Sequence, residues 1–468
     1  MDEKKLPICW RRTTRTVLSL ALAFLLSACG GGGDGGFVDP GGPGVGGEGY
    51  IWILNLVSDS PTLALQVDGD TVALANYAGS TERLTYPTGL RRVTFQQTVQ
   101  PGNRLVDLPI STDVNLAGNE DAVVVLYGTM DNLQLDVWEN DASASADGTG
   151  RTDLLNYSSR RPDVDMYLTQ GSDTPQTAEP VATAAAPDFD GFYFVNAGRY
   201  TLQFTDAGRS EVIYNAGSVE LMEDDSHYYV VTDYFGADPE AFIVLAIEGE
   251  SARAPLVLNY PFYELRFING IPDYPAVDLY TGDLSGQPAI ANVPFTVRSS
   301  YQTIESVPVP LTVTAAGDKS TIFYESSAGS PGFQETLVVS GSSTLANTQG
   351  QLTLDALRPI DGVSQMTFVH ASASNRAIDI YLLDQGESIT DRQPIVGGLD
   401  YRDPAETYAA VPGNYDLVIT LRGNQNALVD PLEVTLRSGQ IVSYYLFDST
   451  GGGGPGRLEE YIYLPPPP

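Results

Sequence analysis

One short pattern recurs four times along the chain, and it limits the fold more than any other feature of the sequence. Asn55, Asn156, Asn269 and His370 each close a brief apolar run, at intervals of 101, 113 and 101 residues. Nine residues beyond each anchor lies an equivalent slot, held by Ala64, Asp165, Asp278 and Asp379. In three copies the slot opens Asp-apolar-Tyr, giving the pairs Asp165/Tyr167, Asp278/Tyr280 and Asp379/Tyr381. Around them alternate Val164, Met166 and Leu168, then Val277 and Leu279, then Ile378, Ile380 and Leu382. Successive strand side chains point to opposite faces, so this period of two predicts a half-buried strand with Asp and Tyr outward. The first and third anchors lie 214 residues apart, as do the second and fourth, which suggests a two-domain unit that was itself duplicated. A period near 100 residues suits a whole domain rather than one turn of a solenoid, so the expectation is four beads in tandem.

Each repeat continues in the same way. A turn glycine precedes alternating apolar residues at Gly413 (Leu417, Ile419), Gly198 (Leu202, Phe204) and Gly89 (Val93, Phe95); the third repeat has no such glycine. Near-continuous apolar runs at 122–127, 228–231 and 442–447 predict strands covered on both faces. Closing strands are expected at 133–138, 242–247, 352–357 and 458–463, with the glycines of 451–456 as a hairpin loop. No amphipathic helical period follows Cys29. The predicted fold is all-β: four tandem immunoglobulin-like β-sandwich domains at 50–141, 150–250, 262–359 and 363–464. A true antibody-type domain is excluded, because no Cys…Trp…Cys framework exists.

The start of the chain is an address. Lys4, Lys5, Arg11, Arg12 and Arg15 precede an apolar stretch at 17–26, far short of the roughly 20 residues a membrane-spanning helix needs. It ends in Leu26-Ser27-Ala28-Cys29, which resembles the lipobox of bacterial lipoproteins. That resemblance implies cleavage after residue 28, lipid on Cys29, and, with Gly30 next, sorting compatible with an outer membrane. Cys9 would leave with the leader, so no disulfide is expected. The Gly/Pro-rich segment at 29–49 is a flexible tether with a reach of about 25 Å.

Phe368-Val369-His370-Ala371-Ser372, Ile378-Asp379-Ile380-Tyr381 and Val411-Pro412-Gly413-Asn414-Tyr415 together closely resemble the domain of unknown function 4397. The third repeat resembles it more loosely through Phe267-Ile268-Asn269 and Val277-Asp278-Leu279-Tyr280. The first departs at Ala64 and Gln66, and the second has Tyr157-Ser158 in place of Ala-Ser. This family occurs in tandem in bacterial lipoproteins and surface proteins. The resemblance implies a β-sandwich and an envelope location, and it carries no established activity.

Charge narrows the partners. With 25 basic and 59 acidic residues the chain carries −34, and losing residues 1–28 brings it near −37. Nucleic acid and anionic lipid surfaces would be repelled; cationic partners would not. The chain has two histidines, and His370 stands where the other copies have Asn, whose side chain would bond the backbone a residue or two on; one imidazole nitrogen can imitate that, so a structural role is expected of it. No Ser-His-Asp order, paired-His spacing or cysteine cluster is present. Asp163/Asp165, Asp188/Asp190 and Glu223-Asp224-Asp225 could offer oxygen ligands to calcium but lack EF-hand spacing, so no metal or cofactor is expected. The Asp/Tyr pairs are the candidate ligand-facing residues; the competing reading makes each Asp a pin for a neighbouring turn. The expected function is that of a non-enzymatic, lipid-anchored envelope protein, attached to the membrane through its N-terminal lipid. It would bind an envelope or extracellular polymer or a basic protein. The rivals are a carboxylate-dependent glycan hydrolase and a calcium-dependent carbohydrate-binding protein.

Overall fold

Short runs rich in Val, Ile, Leu, Tyr and Thr, divided by Gly, Asp and Asn turns, form strands throughout. The computed structural model describes residues 47–463 except 100–103, 119, 142–146, 239, 249–255, 259–262, 306 and 391, and contains no helix among them. The leader, Cys29 and almost all of the tether lie outside the described residues.

The first sandwich comprises β1 (Glu48–Val57), β2 (Leu63–Val67), β3 (Asp70–Ala75), β4 (Gly79–Ser80), β5 (Leu84–Pro87), β6 (Gly89–Val99), β7 (Arg104–Leu116), β8 (Glu120–Thr129) and β9 (Asn132–Asp141). One sheet runs β4-β1-β8-β9, with β5 also on β1; the other runs β3-β2-β6-β7. Between them Ile51, Ile53, Leu63, Leu65, Val93, Phe95, Val124 and Leu126 form a dry core. The second, third and fourth sandwiches repeat both sheet orders. The all-β sandwich class therefore holds in every copy. The strand order is this domain's own: β1 lies mid-sheet and parallel to β8, as Thr149–Asn156 does to Ser226–Asp233, Tyr263–Gly270 to Gln334–Ser340 and Ser364–Ala371 to Ile441–Phe447. Parallel neighbours need a crossover, and here the second sheet supplies it. The glycine run after Phe447 is a hairpin loop, since Phe447 pairs with Arg457 across it.

The picture of separate beads is corrected. The outer face of the first sheet is apolar, so each sandwich must cover it with something. Trp52, Leu54, Leu56, Val123, Val125 and Trp138 pack against Leu155, Tyr157, Tyr228, Val230, Ile243 and Leu245 of the second sandwich. Ile268 and Val338 of the third pack against Val369, Ala371, Tyr445 and Phe447 of the fourth. Both tryptophans of the first sandwich thus serve this interface, and Trp138 Nε1 donates to Tyr157 Oη across it at 2.6 Å. Burying an aromatic or large aliphatic side chain contributes about 1.5–3 kcal/mol, so each pairing is strongly favoured.

The two pairs are also tied together. Tyr234 Oη donates to Gly332 O at 2.7 Å, and the Ala237 amide donates to the Glu264 carboxylate. The segment between the third and fourth sandwiches returns to the first. There the Arg358 guanidinium donates to Ser60 O at 2.8 Å and the Asp361 amide to Asp59 O at 2.7 Å. On the third sandwich a buried Arg266–Asp355 ion pair (2.9 Å) is completed by Thr336 and Tyr301, so both charges of the pair are satisfied.

Candidate functional site

The repeated polar residues come first, because they are what the four copies share. Each anchor ends its strand fully buried. Asn55 Oδ1 accepts from the Val57 amide at 3.1 Å, Asn156 from Ser158 at 3.0 Å and Asn269 from Ile271 at 3.0 Å. Each amide nitrogen donates to a carbonyl across the core edge: Ala75 O, Ala184 O and Val293 O. His370 reproduces the first of these bonds and replaces the second with one to its own loop, as Asn156 also makes to Arg161 O. Its Nδ1 accepts from the Ser372 amide at 3.3 Å, and its Nε2 lies 3.0 Å from Arg376 O. The geometry assigns the proton to Nε2, in a neutral ring. Burial pushes the His370 pKa below the usual histidine range, partly offset by the Arg376 carbonyl.

A second device distinguishes alternate copies. In the first and third sandwiches an aspartate after the anchor accepts from the far turn: Asp59 from the Met130 amide (2.7 Å), Asp273 from Ser342 Oγ (2.7 Å) and the Ser343 amide (2.9 Å). In the second and fourth the polarity is reversed. Ser158 Oγ donates to Asp233 at 2.5 Å, and Ser372 Oγ donates to Asp448. Asp59 and Asp273 lie 214 residues apart, as do Ser158 and Ser372, so the two-domain unit is written into the hydrogen bonding as well as the spacing.

The Asp slots serve the fold, as the pin reading has it. Asp165, Asp278 and Asp379 lie on the outer face of the second sheet, yet each is buried and both carboxylate oxygens are occupied. One oxygen accepts from the next strand: from Thr183 Oγ1 (2.5 Å), the Asn292 amide (2.6 Å) and the Gly398 amide (2.7 Å). The other accepts from a hairpin-turn glycine: Gly208 (2.7 Å), Gly317 (2.8 Å) and Gly423 (2.8 Å). These glycines have φ of +73°, +75° and +74°, a conformation that costs glycine little, and the tight turn aims their amides at the carboxylate. The Asp therefore pins a neighbouring strand and a hairpin turn, although not the anchor's own turn. The first copy, with Ala64 in the slot, carries instead the long β6–β7 hairpin.

The tyrosines are covered as well. Tyr167, Tyr280 and Tyr381 are all buried. Tyr381 packs with Leu383, Val418 and Ile389. Tyr280 differs, because it and Asp278 line a pocket of about 510 Å³ with Gln287, Asn292 and Lys319. Sequence reasoning missed those three residues. One signal was present: Lys319 is the single lysine beyond Lys5. Of the acidic clusters, Asp225 bonds His227 at 2.8 Å and Glu223 accepts from the Gly148 amide at 2.7 Å. Among the described residues no three His, Cys, Asp or Glu side chains converge as metal ligands. The expected lipidation site, Cys29, lies outside the described residues.

No curated protein matches the sequence. The Bacillus anthracis TIE protein is 8% identical, over 86% of this chain and 68% of that one, with a TM-score of 0.14. A ligand-free PulA mutant from Klebsiella pneumoniae (9% identical, 61% of this chain and 31% of that one covered, TM-score 0.16) and the multi-modular glycogen-degrading pneumococcal virulence factor SpuA (9%, 81% and 37%, TM-score 0.15) are similarly remote. The chain spans about a third of the length of these last two, and at such TM-scores none of the three likenesses carries an argument. The family described as "Domain of unknown function (DUF4397)" matches residues 49–167 and 263–381, together just over half of the chain. The two matches start 214 residues apart, and each runs from one sandwich through the Asp-apolar-Tyr strand of the next. The chain thus belongs to the DUF4397 family, with its matches repeating at the period of the two-domain unit.

Proposed function

We propose that this protein is a non-enzymatic, lipid-anchored module of the bacterial cell envelope that binds an envelope or extracellular polymer or a basic protein. The observation that carries this reading is where the shared polar groups go. The anchors and the Asp pins are all engaged inside the fold, and the apolar outer faces of the first sheets are engaged between sandwiches. What the four copies hold in common builds a scaffold, and contact with a partner falls to loops and strand edges. The net charge of −34 favours a cationic or neutral partner over nucleic acid. Because the sandwiches are packed in pairs, the partner would meet a surface of fixed geometry rather than independently swinging beads. Anchoring follows from the Leu26-Ser27-Ala28-Cys29 sequence and its tether.

The test has two arms. Cys29→Ala should move the protein out of the membrane fraction; continued partitioning with membranes in detergent-free buffer would remove the anchor from the proposal. Binding of the tether-free chain to envelope fractions should weaken between 0.1 and 1 M salt, as the Debye length falls from about 10 to 3 Å. Binding indifferent to salt but abolished by a calcium chelator would favour the calcium-dependent lectin reading. Turnover of a glycan would favour the hydrolase.

A further inference from the structure

We propose that the pocket beside Tyr280 in the third sandwich binds an uncharged hexose unit of a polysaccharide. The inference deepens the binding-module reading and rests on it. The pocket holds about 510 Å³, within the range of roughly 300–1,000 Å³ typical of small-ligand sites. Its floor is the strand Ala276–Thr281, which contributes Asp278 and Tyr280. Its walls are Gln287 and Pro288 from the following loop, Asn292 from Ile290–Pro294, and Lys319 from the hairpin that begins at Gly317.

The walls are built rather than incidental. Lys319 Nζ donates to Leu284 O at 2.7 Å and Gly286 O at 2.8 Å, which fastens the loop carrying Gln287. The same ammonium stands 5.4 Å from the centroid of the Tyr280 ring. An ammonium has three N–H groups, and two are accounted for by those carbonyls. Asn292 sits at φ +53°, a conformation uncommon outside glycine, and its amide is held by Asp278. The fourth sandwich shows what the alternative looks like. There the equivalent amide comes from Gly398, and a Cβ at that position would meet Arg422 Cζ at 3.1 Å, so the Arg422 side chain lies across the space. The third sandwich has an exposed Asn and an exposed Gln around that space instead.

The chemistry of the walls selects the ligand. Primary amides offer paired donors and acceptors, which match vicinal hydroxyls, and Pro288, Ala291 and Ala316 offer a low apolar surface for a ring's C–H face. Charge decides the rest. Asp278 and Lys319 both line the pocket, and Asp283 and Asp318 lie beside it on the segments that carry Lys319 and its carbonyl partners. Hydrogen bonds from Ser285 hold Asp283, and those from Ser320 and Thr321 hold Asp318, below the usual carboxylate range, so both stay ionised. The surrounding carboxylates would repel an anionic sugar and leave a neutral one unaffected.

The experiment is saturation-transfer NMR on the whole tether-free chain with cellotriose, maltotriose and mannotriose, and with trigalacturonate as the anionic arm. At least one neutral trisaccharide should bind with a Kd on the order of millimolar, as few contacts in an open site allow. The double variant Gln287→Ala/Asn292→Gly, whose glycine preserves the backbone, should weaken it about tenfold with an unchanged melting temperature. Trigalacturonate should bind about tenfold more weakly than the best neutral sugar. Equal binding by wild type and double variant, or preference for the anionic sugar, overturns the proposal. Absence of neutral-sugar binding also overturns it, and salt-sensitive capture of envelope fractions would then leave the wider module reading standing.

Discussion

The two sheets of each sandwich meet very different surroundings. In the sheet that carries the anchor, whole strands are buried on both faces: Ser226–Asp233, Tyr263–Gly270, Ser364–Ala371 and Ile441–Phe447 have no exposed residue. In the flanking strands of the other sheet burial alternates. Val434 and Leu436 are buried while Glu433 and Thr435 face solvent, and in Val212–Leu221 the exposed positions include Asn215, Ser218 and Glu220. The difference is one of partners. A sheet with one apolar face completes one core, whereas a sheet with two needs a second domain. The four copies therefore share a fold and also a docking face, and the chain satisfies that face within itself, twice.

The largest effect should come from breaking the docking face. Trp52→Ala, at the first interface, should cost about 3–5 kcal/mol, as a buried aromatic truncation does. Ser218→Ala, exposed on the other sheet, should stay within about 0.5 kcal/mol. Denaturant midpoints compare the two directly, and similar losses would mean that the outer face of the first sheet is not an energetic interface.

Next in size is a pin beneath the second sheet. Asp379→Ala removes the charge-assisted bonds from the half-buried Gly398 amide and the exposed Gly423 amide, and with water free to replace part of them the loss should be about 1.5–3 kcal/mol. Thermal melts should show a clear loss, and amide exchange should accelerate in both loops. Protection lost elsewhere but kept at Gly398 and Gly423 would refute the pin.

Smaller again is the tie between the first sandwich and the segment leading to the fourth. Arg358→Ala deletes the bonds to Ser58 and Ser60 and should cost about 1–2 kcal/mol. Scattering in solution should report a looser particle while each sandwich keeps its own core; an unaltered profile would show that the pairs are held by other contacts.

The smallest effect should be His370→Asn, within about 1 kcal/mol, because three copies already use Asn. Its value lies in pH. His370 has a depressed pKa in the folded state, so the unfolded chain takes up the proton first as pH falls. Wild-type stability should be full above the ordinary histidine value, near 6.5, and decline as pH drops from there through the lower folded value. The Asn variant should lack that component. Identical pH profiles for the two proteins would contradict a buried neutral ring at this position.

The repeat itself, the strand class and the anchor's turn-capping role were legible in the residues alone. They are local: a period of two, a glycine at a turn, and an Asn whose side chain reaches two residues along its own chain. Even the two-domain duplication showed in the 214-residue spacing. The apolar runs at 122–127, 228–231 and 442–447 also announced cover on both faces. What they could not say was whose side chains would provide it, since burial is a property of a residue's neighbours and those lie up to a whole domain away. The same limit applies to the Asp slots. Their alternation placed them outward correctly, but the donors that engage them belong to strands and turns 14 to 44 residues further on. Lys319, Gln287 and Asn292 stand on three separate segments, and only the packing of the second sheet brings them around one pocket.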